Sequence, residues 1–145
     1  MEIREITVND LNALMELYIQ LSPANVGLTD EKREIIWSEI KRFKNITYLG
    51  VFDDNQLISS CFITIIPNLT NQGKSIGYIE NVITDVNYRR KGVGKKLMQK
   101  AIEIAQGNNC CKIFLESGIS RVEAHKFYKS IGFDDTNKKA FNIRF

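Results

Sequence analysis

The chain has 145 residues, of which 43% are hydrophobic and 26% are charged, so we expect one globular domain over residues 1–145 and no second domain. No apolar run reaches the roughly 18 residues of a membrane helix, and the first residues lack a signal-peptide pattern, so we expect a cytoplasmic protein without a membrane segment. The three cysteines, Cys61, Cys110 and Cys111, have neither metal-ligand nor Cys-x-x-Cys spacing, so we expect no disulfide framework and no metal site.

The net charge of +3 is unevenly distributed. Residues 1–40 contain eight acidic and three basic residues, a balance of −5 that leaves +8 for the remainder. The positive charge is densest between Arg89 and Lys96, where five of eight residues are basic and two are glycine. This composition is typical of an anion site, and equally of a solvated face.

The first half of the chain predicts a short strand, two helices and a hairpin. An extended segment over Glu2–Ile6 precedes an amphipathic helix with apolar residues from Leu11 to Leu21, for which Thr7, Asn9 or Asp10 could be the cap. Thr29 and the acids after it mark the start of a second helix, and the bases at 41, 42 and 44 mark its end. The apolar residues of this helix are Ile35, Ile36, Ile40 and Phe43. Residues 46–52 and 57–66 are rich in β-branched and aromatic residues, and Asp53-Asp54-Asn55 between them predicts a hairpin.

The second half alternates strands and helices. Residues 75–84 predict a strand with one acid, Glu80, inside it. A helical stripe begins at Val93 and ends near Gly107, a short buried strand follows over 112–116, and Arg121–Ser130 predicts a helix that Gly132 stops. Residues 139–145 alternate and predict a terminal strand. The order β-α-α-β-β-β-α-β-α-β indicates an α/β (α+β) fold with a mixed sheet and helices on both sides.

The most informative segment runs from Val82 to Met98 and joins a strand to a helix through a basic, glycine-containing turn. The first turn of a helix has unpaired N–H groups and the positive end of the dipole, and glycines at 92 and 94 allow a pyrophosphate to approach the backbone. This pattern favours a phosphate-bearing ligand. It contains neither the nucleotide P-loop pattern nor Gly-x-Gly-x-x-Gly.

The pattern Arg89-x-x-Gly92-x-Gly94, with Tyr88 before it, resembles the acetyl-CoA signature of the GNAT superfamily, the Gcn-five-related N-acetyltransferases. The segment from Ala124 to Phe133 is similar to a later helix of that family, an aromatic-Tyr pair followed by Gly-Phe. The resemblance covers residues 75–135. It implies a single-domain, mostly antiparallel central sheet of about six to seven strands flanked by about four helices, and an acetyl-CoA-dependent N-acetyltransferase.

The resemblance also implies where the cofactor lies. The strand ending at Thr84 and the strand at 113–116 would splay apart to admit the pantetheine, and backbone amides from Arg90 to Lys95 would bind the pyrophosphate. The residues expected at acetyl-CoA are Val82, Ile83, Thr84, Arg89, Arg90, Lys91, Gly92, Val93, Gly94, Lys95, Leu115, Phe127 and Tyr128.

Three residues are candidates for catalysis. An amine is nucleophilic only after losing its proton, and Glu80 is the best placed carboxylate to accept that proton through water. A hydrogen bond to a neighbouring loop or to the substrate ammonium is the competing interpretation. The family resemblance implies that a backbone amide at Ile83 or Thr84 stabilises the oxyanion and that Tyr128 protonates the departing thiolate. A core tyrosine without a catalytic part is the competing interpretation of Tyr128. His125 is a structural rather than a catalytic candidate, and Arg121 departs from an asparagine common in the family.

The acceptor amine stays open at this stage. Residues 77–82, 111–115 and 140–145 are similar to glucosamine-phosphate N-acetyltransferases, which are dimers, so a homodimer is a further expectation. The acidic first 40 residues favour a cationic amine such as a polyamine, an aminoglycoside or a peptide terminus, whereas Arg121, Lys138, Lys139 and Arg144 could contact a sugar phosphate. A peptide or protein N-acetyltransferase and a non-catalytic CoA-binding sensor are alternatives. A nucleic-acid partner is not expected, because the pI of 8.7 is below that usual for such domains and the basic cluster lacks interleaved aromatics.

Overall fold

The structure, a computed structural model, describes residues 1–145 and contains five strands and four α-helices. The strands are β1 (Glu2–Glu5), β2 (Ile46–Asp53), β3 (Gln56–Ile66), β4 (Ser75–Thr84) and β5 (Cys110–Leu115). The helices are α1 (Leu11–Leu21), α2 (Asp30–Ile40), α3 (Val93–Gly107) and α4 (Val122–Ser130). The chain forms two compact units, residues 1–114 with most of the sheet and α1–α3, and residues 115–145 with α4.

The entry into α1 depends on one partly buried ion pair and its hydrogen bonds. Arg4 makes two hydrogen bonds of 2.8 Å to the carboxylate of Asp10, and the same carboxylate accepts hydrogen bonds from Thr7 N and Thr7 Oγ1 at 2.8 and 2.9 Å. The guanidinium of Arg4 also lies 3.6 Å from the centre of the Phe52 ring. These contacts fix the short 3-10 turn at Val8–Asp10 and confirm the predicted start of the first helix.

The second helix begins where its sequence predicts, because Thr29 Oγ1 accepts a hydrogen bond from Lys32 N. Its buried face is different from the predicted stripe. Trp37 is the residue that α2 buries, whereas Ile35 and Ile36 are 55% and 43% exposed.

The sheet has the order β1-β2-β3-β4-β5, and the pairs β1–β2, β2–β3 and β3–β4 are antiparallel. The hairpin between β2 and β3 is confirmed, and Asp54 and Asn55 at its turn have φ angles of 46° and 66°. Two consecutive positive φ angles are the conformation of the tight hairpin turn that Asp and Asn favour.

A β-bulge interrupts β4 near its end. Ser60 pairs with Ile83 and Phe62 pairs with Glu80, so Asn81 and Val82 of β4 oppose a single residue of β3. Asn81 has a φ of 53°, a left-handed conformation that asparagine tolerates better than most residues. The extra residue reverses the face that the following side chains occupy.

The sheet is covered on both faces. On one face, α1 and α2 pack on β2–β4, and the buried cluster there is Ile6, Leu11, Leu14, Leu17, Trp37, Phe52, Leu57 and Ile83. On the other face α3 contributes Val93, Leu97, Met98, Ala101 and Ala105, all buried. A Cβ built on Gly77 of β4 would lie 3.5 Å from the Cβ of Ala105, which marks how closely α3 approaches the sheet.

Of the last two elements, β5 begins and ends at other residues than predicted, whereas α4 agrees with its predicted bounds to within one residue. The strand predicted at 112–116 is Cys110–Leu115, and Cys111, Lys112 and Phe114 in it are exposed, so it is not the buried strand that its apolar letters indicated. Helix α4 ends as predicted at glycine: Gly132 has a φ of 100°, Phe133 N donates to Tyr128 O, and Gly132 N donates to Lys129 O.

The terminal strand predicted over 139–145 is wrong, and the sheet has five strands instead of six to seven. Residues 139–145 have no regular structure, and Phe141, Ile143 and Phe145 are each more than 80% exposed. Alternation of apolar and polar residues determines which side chains would lie on each face of a strand, but a strand forms only where a neighbouring strand is available for pairing. None of the helices is both long and apolar enough to cross a lipid bilayer.

Asp10→Asn should lower the free energy of unfolding by about 1 kcal/mol at pH 7, with the difference vanishing near pH 2. The hydrogen bonds from Arg4 lower the pKa of Asp10 to about 2, below its value in an unfolded chain. The stabilisation is therefore complete above about pH 5 and is lost as pH falls through the folded-state pKa.

Chemical denaturation between pH 2 and pH 7 measures this difference. In an Arg4→Met background, which keeps the packing on Phe52, the effect of Asp10→Asn should shrink; an undiminished effect would show that the ion pair is not its source.

Candidate active site

The turn before α3 has a backbone conformation that leaves amides available to a ligand. Arg90 and Gly92 have φ angles of 61° and 76°, and the first backbone hydrogen bond of the helix is donated by Lys96 N to Gly92 O. The amides of Val93, Gly94 and Lys95 therefore precede the helical hydrogen-bond ladder and have no partner in it. A Cβ built on Gly92 would meet nothing within 4 Å, so the space outside this turn is open.

The basic side chains around the turn are exposed and none of the five between Arg89 and Lys96 forms an ion pair within 4.0 Å. Lys91 Nζ lies 5.3 Å from the ring centre of Tyr88, and Arg89 Nε donates a 3.0 Å hydrogen bond to Thr84 O. Uncompensated positive charge next to unpaired helix amides is the chemistry of a phosphate site.

A side chain from α1 holds the start of this turn. Gln20 Nε2 donates to Asp85 Oδ2 at 2.8 Å, and Val86 N donates to Gln20 Oε1 at 3.1 Å. Asp85 Oδ1 accepts from Asn87 N at 2.8 Å. We call the two hydrogen bonds of the Gln20 side chain, to Asp85 and Val86, the Gln20 clamp. The hydrogen bond from Gln20 lowers the pKa of Asp85, so the carboxylate is ionised and the clamp persists near neutral pH. Gln20 could not be predicted from the sequence, since no local pattern relates it to residue 85.

The last part of β4 extends beyond β5. A Cβ on Gly77 would lie 3.2 Å from Ile113 Cγ1, and the rings of Tyr78 and Phe114 are 4.7 Å apart. From the first contact to the second, the residue number rises by one on β4 and by one on β5, so the two strands run in the same direction. Strand β5 ends one residue later, at Leu115. The edge of β4 from Glu80 to Thr84 therefore continues past the end of its neighbour.

One backbone amide faces that open edge. Asp85 N donates to Ile58 O of β3 at 2.9 Å, and the backbone groups of successive strand residues point to alternate sides. The N–H and C=O of Thr84 therefore point away from β3, consistent with the hydrogen bond that Thr84 O accepts from Arg89. The backbone of Ile83 points towards β3, where its carbonyl accepts from Ser59 Oγ at 2.7 Å.

Glu80 is half-buried at the bulge and its carboxylate is held by two neighbours. Tyr78 Oη donates to Glu80 Oε1, and Asn81 N donates to Glu80 Oε2 at 3.2 Å. Glu80 pairs with Phe62, which pairs with Tyr48, so the three side chains stand on the same face of the sheet as α1 and α2. These two hydrogen bonds therefore fix the orientation of the carboxylate.

Two buried hydroxyls on this face have no signal in the sequence. Tyr18 Oη and Ser60 Oγ are buried and have no hydrogen-bond partner of good geometry. Burial raises the pKa of Tyr18, and the nearby Asn81 and Ser60 act in the opposite direction. Buried polar atoms of this kind are usually satisfied by water or by a ligand. Only the register of the bulge brings Tyr18 next to Asn81.

The second unit contains Tyr128 and His125 on α4. Tyr128 is 9% exposed and its ring centre lies 5.4 Å from that of Phe127 and 6.0 Å from that of Phe133. His125 Nε2 donates to Gly118 O at 2.9 Å, a hydrogen bond that ties α4 to the loop before it and supports the structural interpretation of this residue.

The sequence-predicted site residues fall into two groups. Those from Glu80 to Lys95 lie in the first unit, at the open edge of β4 and the turn after it, whereas Leu115, Phe127 and Tyr128 belong to the second unit. No group of three His, Cys, Asp or Glu side chains in residues 1–145 could hold a metal ion.

The family model described as the GNAT family of acetyltransferases matches residues 11–133. The chain belongs to the GNAT family. Members of this family use acetyl-CoA, and the unpaired amides and free bases of the turn fit its pyrophosphate.

Individual relatives agree with this assignment. The chain is 29% identical to a glucosamine 6-phosphate N-acetyltransferase of Trypanosoma brucei brucei over 136 residues, covering 92% of this chain and 88% of the relative. A solved structure from Agrobacterium tumefaciens, provisionally described as an acetyltransferase, is 32% identical over the whole of both chains with a TM-score of 0.95. An aminoglycoside N-acetyltransferase in complex with CoA has a TM-score of 0.81 at 19% identity, over 99% of this chain and 93% of that chain, which shows the shared fold alone.

Gly92→Ala should weaken the binding of CoA, whereas the matched variant Gly73→Ala should not. Both glycines have a φ near 75° and open space around them, so an added Cβ strains each backbone similarly, by about 1 kcal/mol. Only Gly92 stands at the start of a helix of 15 residues.

The measurement is the CoA-dependent rise in melting temperature of both variants and the native chain. Equal losses of this rise in the two variants would mean that general destabilisation, and not the turn, is responsible.

Proposed function

We propose that the protein transfers the acetyl group of acetyl-CoA to a primary amine of a small molecule by direct attack of the amine. One observation carries the proposal. Within the first unit, a backbone amide at the open edge of β4 lies next to the start of α3, whose first amides have no partner in the helix. Thr84 N–H lies at the end of β4, and the turn with Gly92 follows it directly. A carrier with a pyrophosphate at the turn could extend its thioester along this edge.

Removal of the amine proton falls to Glu80 in this proposal. An ammonium ion has no lone pair, and most primary amines are protonated at neutral pH, so a base raises the fraction that can attack. The two hydrogen bonds on the Glu80 carboxylate orient it, and its partial burial leaves room for a water molecule to carry the proton.

The attack forms a bond between the amine nitrogen and the carbonyl carbon, and the C–S bond then breaks. Negative charge develops first on the carbonyl oxygen, for which Thr84 N–H is the proposed donor; a well-aimed donor contributes about 3 kcal/mol. The departing sulfur takes a proton from the Tyr128 hydroxyl, a role that rests on the family resemblance, and the proton that the nitrogen loses as the amide forms returns through solvent to the tyrosinate. The products are the N-acetylated amine and CoA with a free thiol.

A small-molecule amine is the acceptor class best supported. Over most of its length the chain is similar to a glucosamine 6-phosphate N-acetyltransferase. The acidic balance of residues 1–40, which form the helices over the Glu80 face, supports a substrate that carries positive charge. Dimerisation stays a prediction, which sedimentation equilibrium of the full chain measures; the exposed Phe141, Ile143 and Phe145 provide apolar surface for it.

Release of free thiol from acetyl-CoA with a panel of amino sugars, polyamines, aminoglycosides, apolar amines and peptide N-termini tests the proposal. Turnover of a small amine is the expected result. Stabilisation by CoA without turnover of any amine would instead indicate a binding protein, because a ligand at about 100 times its Kd adds roughly 2.7 kcal/mol without any chemistry.

Tyr128→Phe should lower kcat by about 10²-fold or more while the CoA-dependent rise in melting temperature is retained. The substitution removes the proton donor and keeps the ring that packs with Phe127 and Phe133. Steady-state kinetics at saturating acetyl-CoA provides the measurement, and unchanged kcat with a good acceptor would remove Tyr128 from the mechanism.

Glu80→Gln should lower kcat/KM near neutral pH, and the deficit should shrink as pH approaches the pKa of the acceptor amine. A neutral amide cannot accept the proton, but at higher pH the amine loses it to solvent without assistance. Rate profiles of the variant and the native chain between pH 6 and about 10 measure this convergence. A constant ratio at every pH would indicate that Glu80 binds or orients the substrate instead.

A further inference from the structure

A pocket in the first unit lies between α1, α2 and β2, away from the turn that precedes α3. Its volume is about 440 Å³, within the range of pockets that bind small molecules. Its walls are mostly apolar and include Met15 and Tyr18 from α1, Ile36 and Trp37 from α2, and Tyr48 from β2. A cavity of this lining favours a ligand with an apolar body.

One wall of the pocket, Tyr48, stands on the same face of the sheet as Glu80. Tyr48 pairs with Phe62 and Phe62 pairs with Glu80, so two strand spacings, on the order of 10 Å, separate the Cα atoms of Tyr48 and Glu80. The rings of Tyr48 and Phe62 are stacked with centres 5.0 Å apart, and Trp37 meets Tyr48 edge-on at 5.3 Å. An aromatic surface therefore leads from the pocket to the proposed base.

The pocket also has a positively charged side. Lys32 and Arg33 of α2 both line it, and the Arg33 side chain is only 14% exposed. One guanidinium nitrogen of Arg33 pairs with Asp30 at 3.0 Å, but Arg33 Nε is buried and has no partner. A buried N–H without an acceptor is destabilising, so an oxygen of a bound ligand would satisfy it.

We propose that this pocket binds the far end of the acceptor, and that the acceptor is an amine with an apolar, aromatic body that ends in a carboxylate. The amine would lie at Glu80, the ring over Tyr48 and Phe62, and the carboxylate against Arg33. The charges at the two ends of the surface, negative at Glu80 and positive at Arg33, match such a molecule in one orientation only. The proposal rests on the proposed function, since Glu80 defines where the amine lies.

Four acceptors separate this substrate class from its competitors: 4-(2-aminoethyl)benzoate, 2-phenylethylamine, glucosamine 6-phosphate and spermidine. We expect the first to have the lowest KM in the thiol-release assay. Loss of its carboxylate, in 2-phenylethylamine, should raise KM about tenfold or more. A higher kcat/KM for glucosamine 6-phosphate or spermidine than for the aromatic amino acid would overturn the proposal.

Two tryptophan variants on the same helix test the location. Ile36→Trp fills the pocket and should raise KM for 4-(2-aminoethyl)benzoate at least tenfold without changing KM for acetyl-CoA. Ile35→Trp is the matched control, because Ile35 is similarly exposed but does not line this pocket, and it should change neither value. Arg33→Gln should abolish the preference for the carboxylate-bearing acceptor over 2-phenylethylamine.

Calorimetric titration of the CoA-bound protein with 4-(2-aminoethyl)benzoate distinguishes failure of the pocket assignment from failure of the proposed function. Binding that Ile36→Trp abolishes, in the absence of any turnover, would overturn the proposed function and leave the pocket assignment in place. Absence of binding, or equal binding by the native chain and Ile36→Trp, would overturn the pocket assignment even if another amine is acetylated.

Discussion

The extra residue in β4 controls the geometry of the proposed site. Because Asn81 and Val82 together oppose one residue of β3, Ile83 packs in the layer under α1, whereas Ile79 pairs with Ile63 on the opposite face. The same irregularity lies where β4 begins to extend beyond β5, and it leaves the Glu80 carboxylate and the Thr84 amide within five residues of each other. A regular strand with the same sequence would direct these groups differently, since a shift of one residue exchanges the two faces.

The cofactor side and the acceptor side of the proposed site carry opposite charge. The turn from Arg89 to Lys96 carries exposed bases without ion pairs, next to helix amides, and this suits a pyrophosphate. The helices on the Glu80 face come from the acidic first 40 residues, which favours a cationic amine on that face. The Gln20 clamp on Asp85 and Val86 links the two regions, because it ties the end of α1 to the start of the phosphate-binding turn.

The lining of the pocket between α1 and α2 restricts the acceptor more than net charge does. Net charge alone is compatible with a polyamine, an aminoglycoside or an amino sugar. An aromatic surface that ends at the buried, unpartnered Arg33 Nε is complementary to a more specific molecule, with an apolar body between two opposite charges. Similarity to a sugar-phosphate acetyltransferase over most of the chain therefore does not by itself identify the substrate, since acceptor contacts come from side chains that can change while the fold persists.

Local patterns in the sequence were sufficient for most of the fold. The hairpin at Asp54-Asn55, the cap at Thr29, the strand over residues 75–84 and the glycine-terminated α4 all depend on interactions between residues close in the chain, so they could be predicted. The basic turn before α3 was found for the same reason, since its glycines and charges are contiguous. The terminal strand was predicted wrongly, because alternation at residues 139–145 says nothing about whether a neighbouring strand is available. The bulge at Asn81, the Gln20 clamp, the buried hydroxyls of Tyr18 and Ser60, and the aromatic pocket are contacts between distant segments. They depend on strand register and helix packing, which a single sequence does not encode in any local pattern, and so only the tertiary structure decided them.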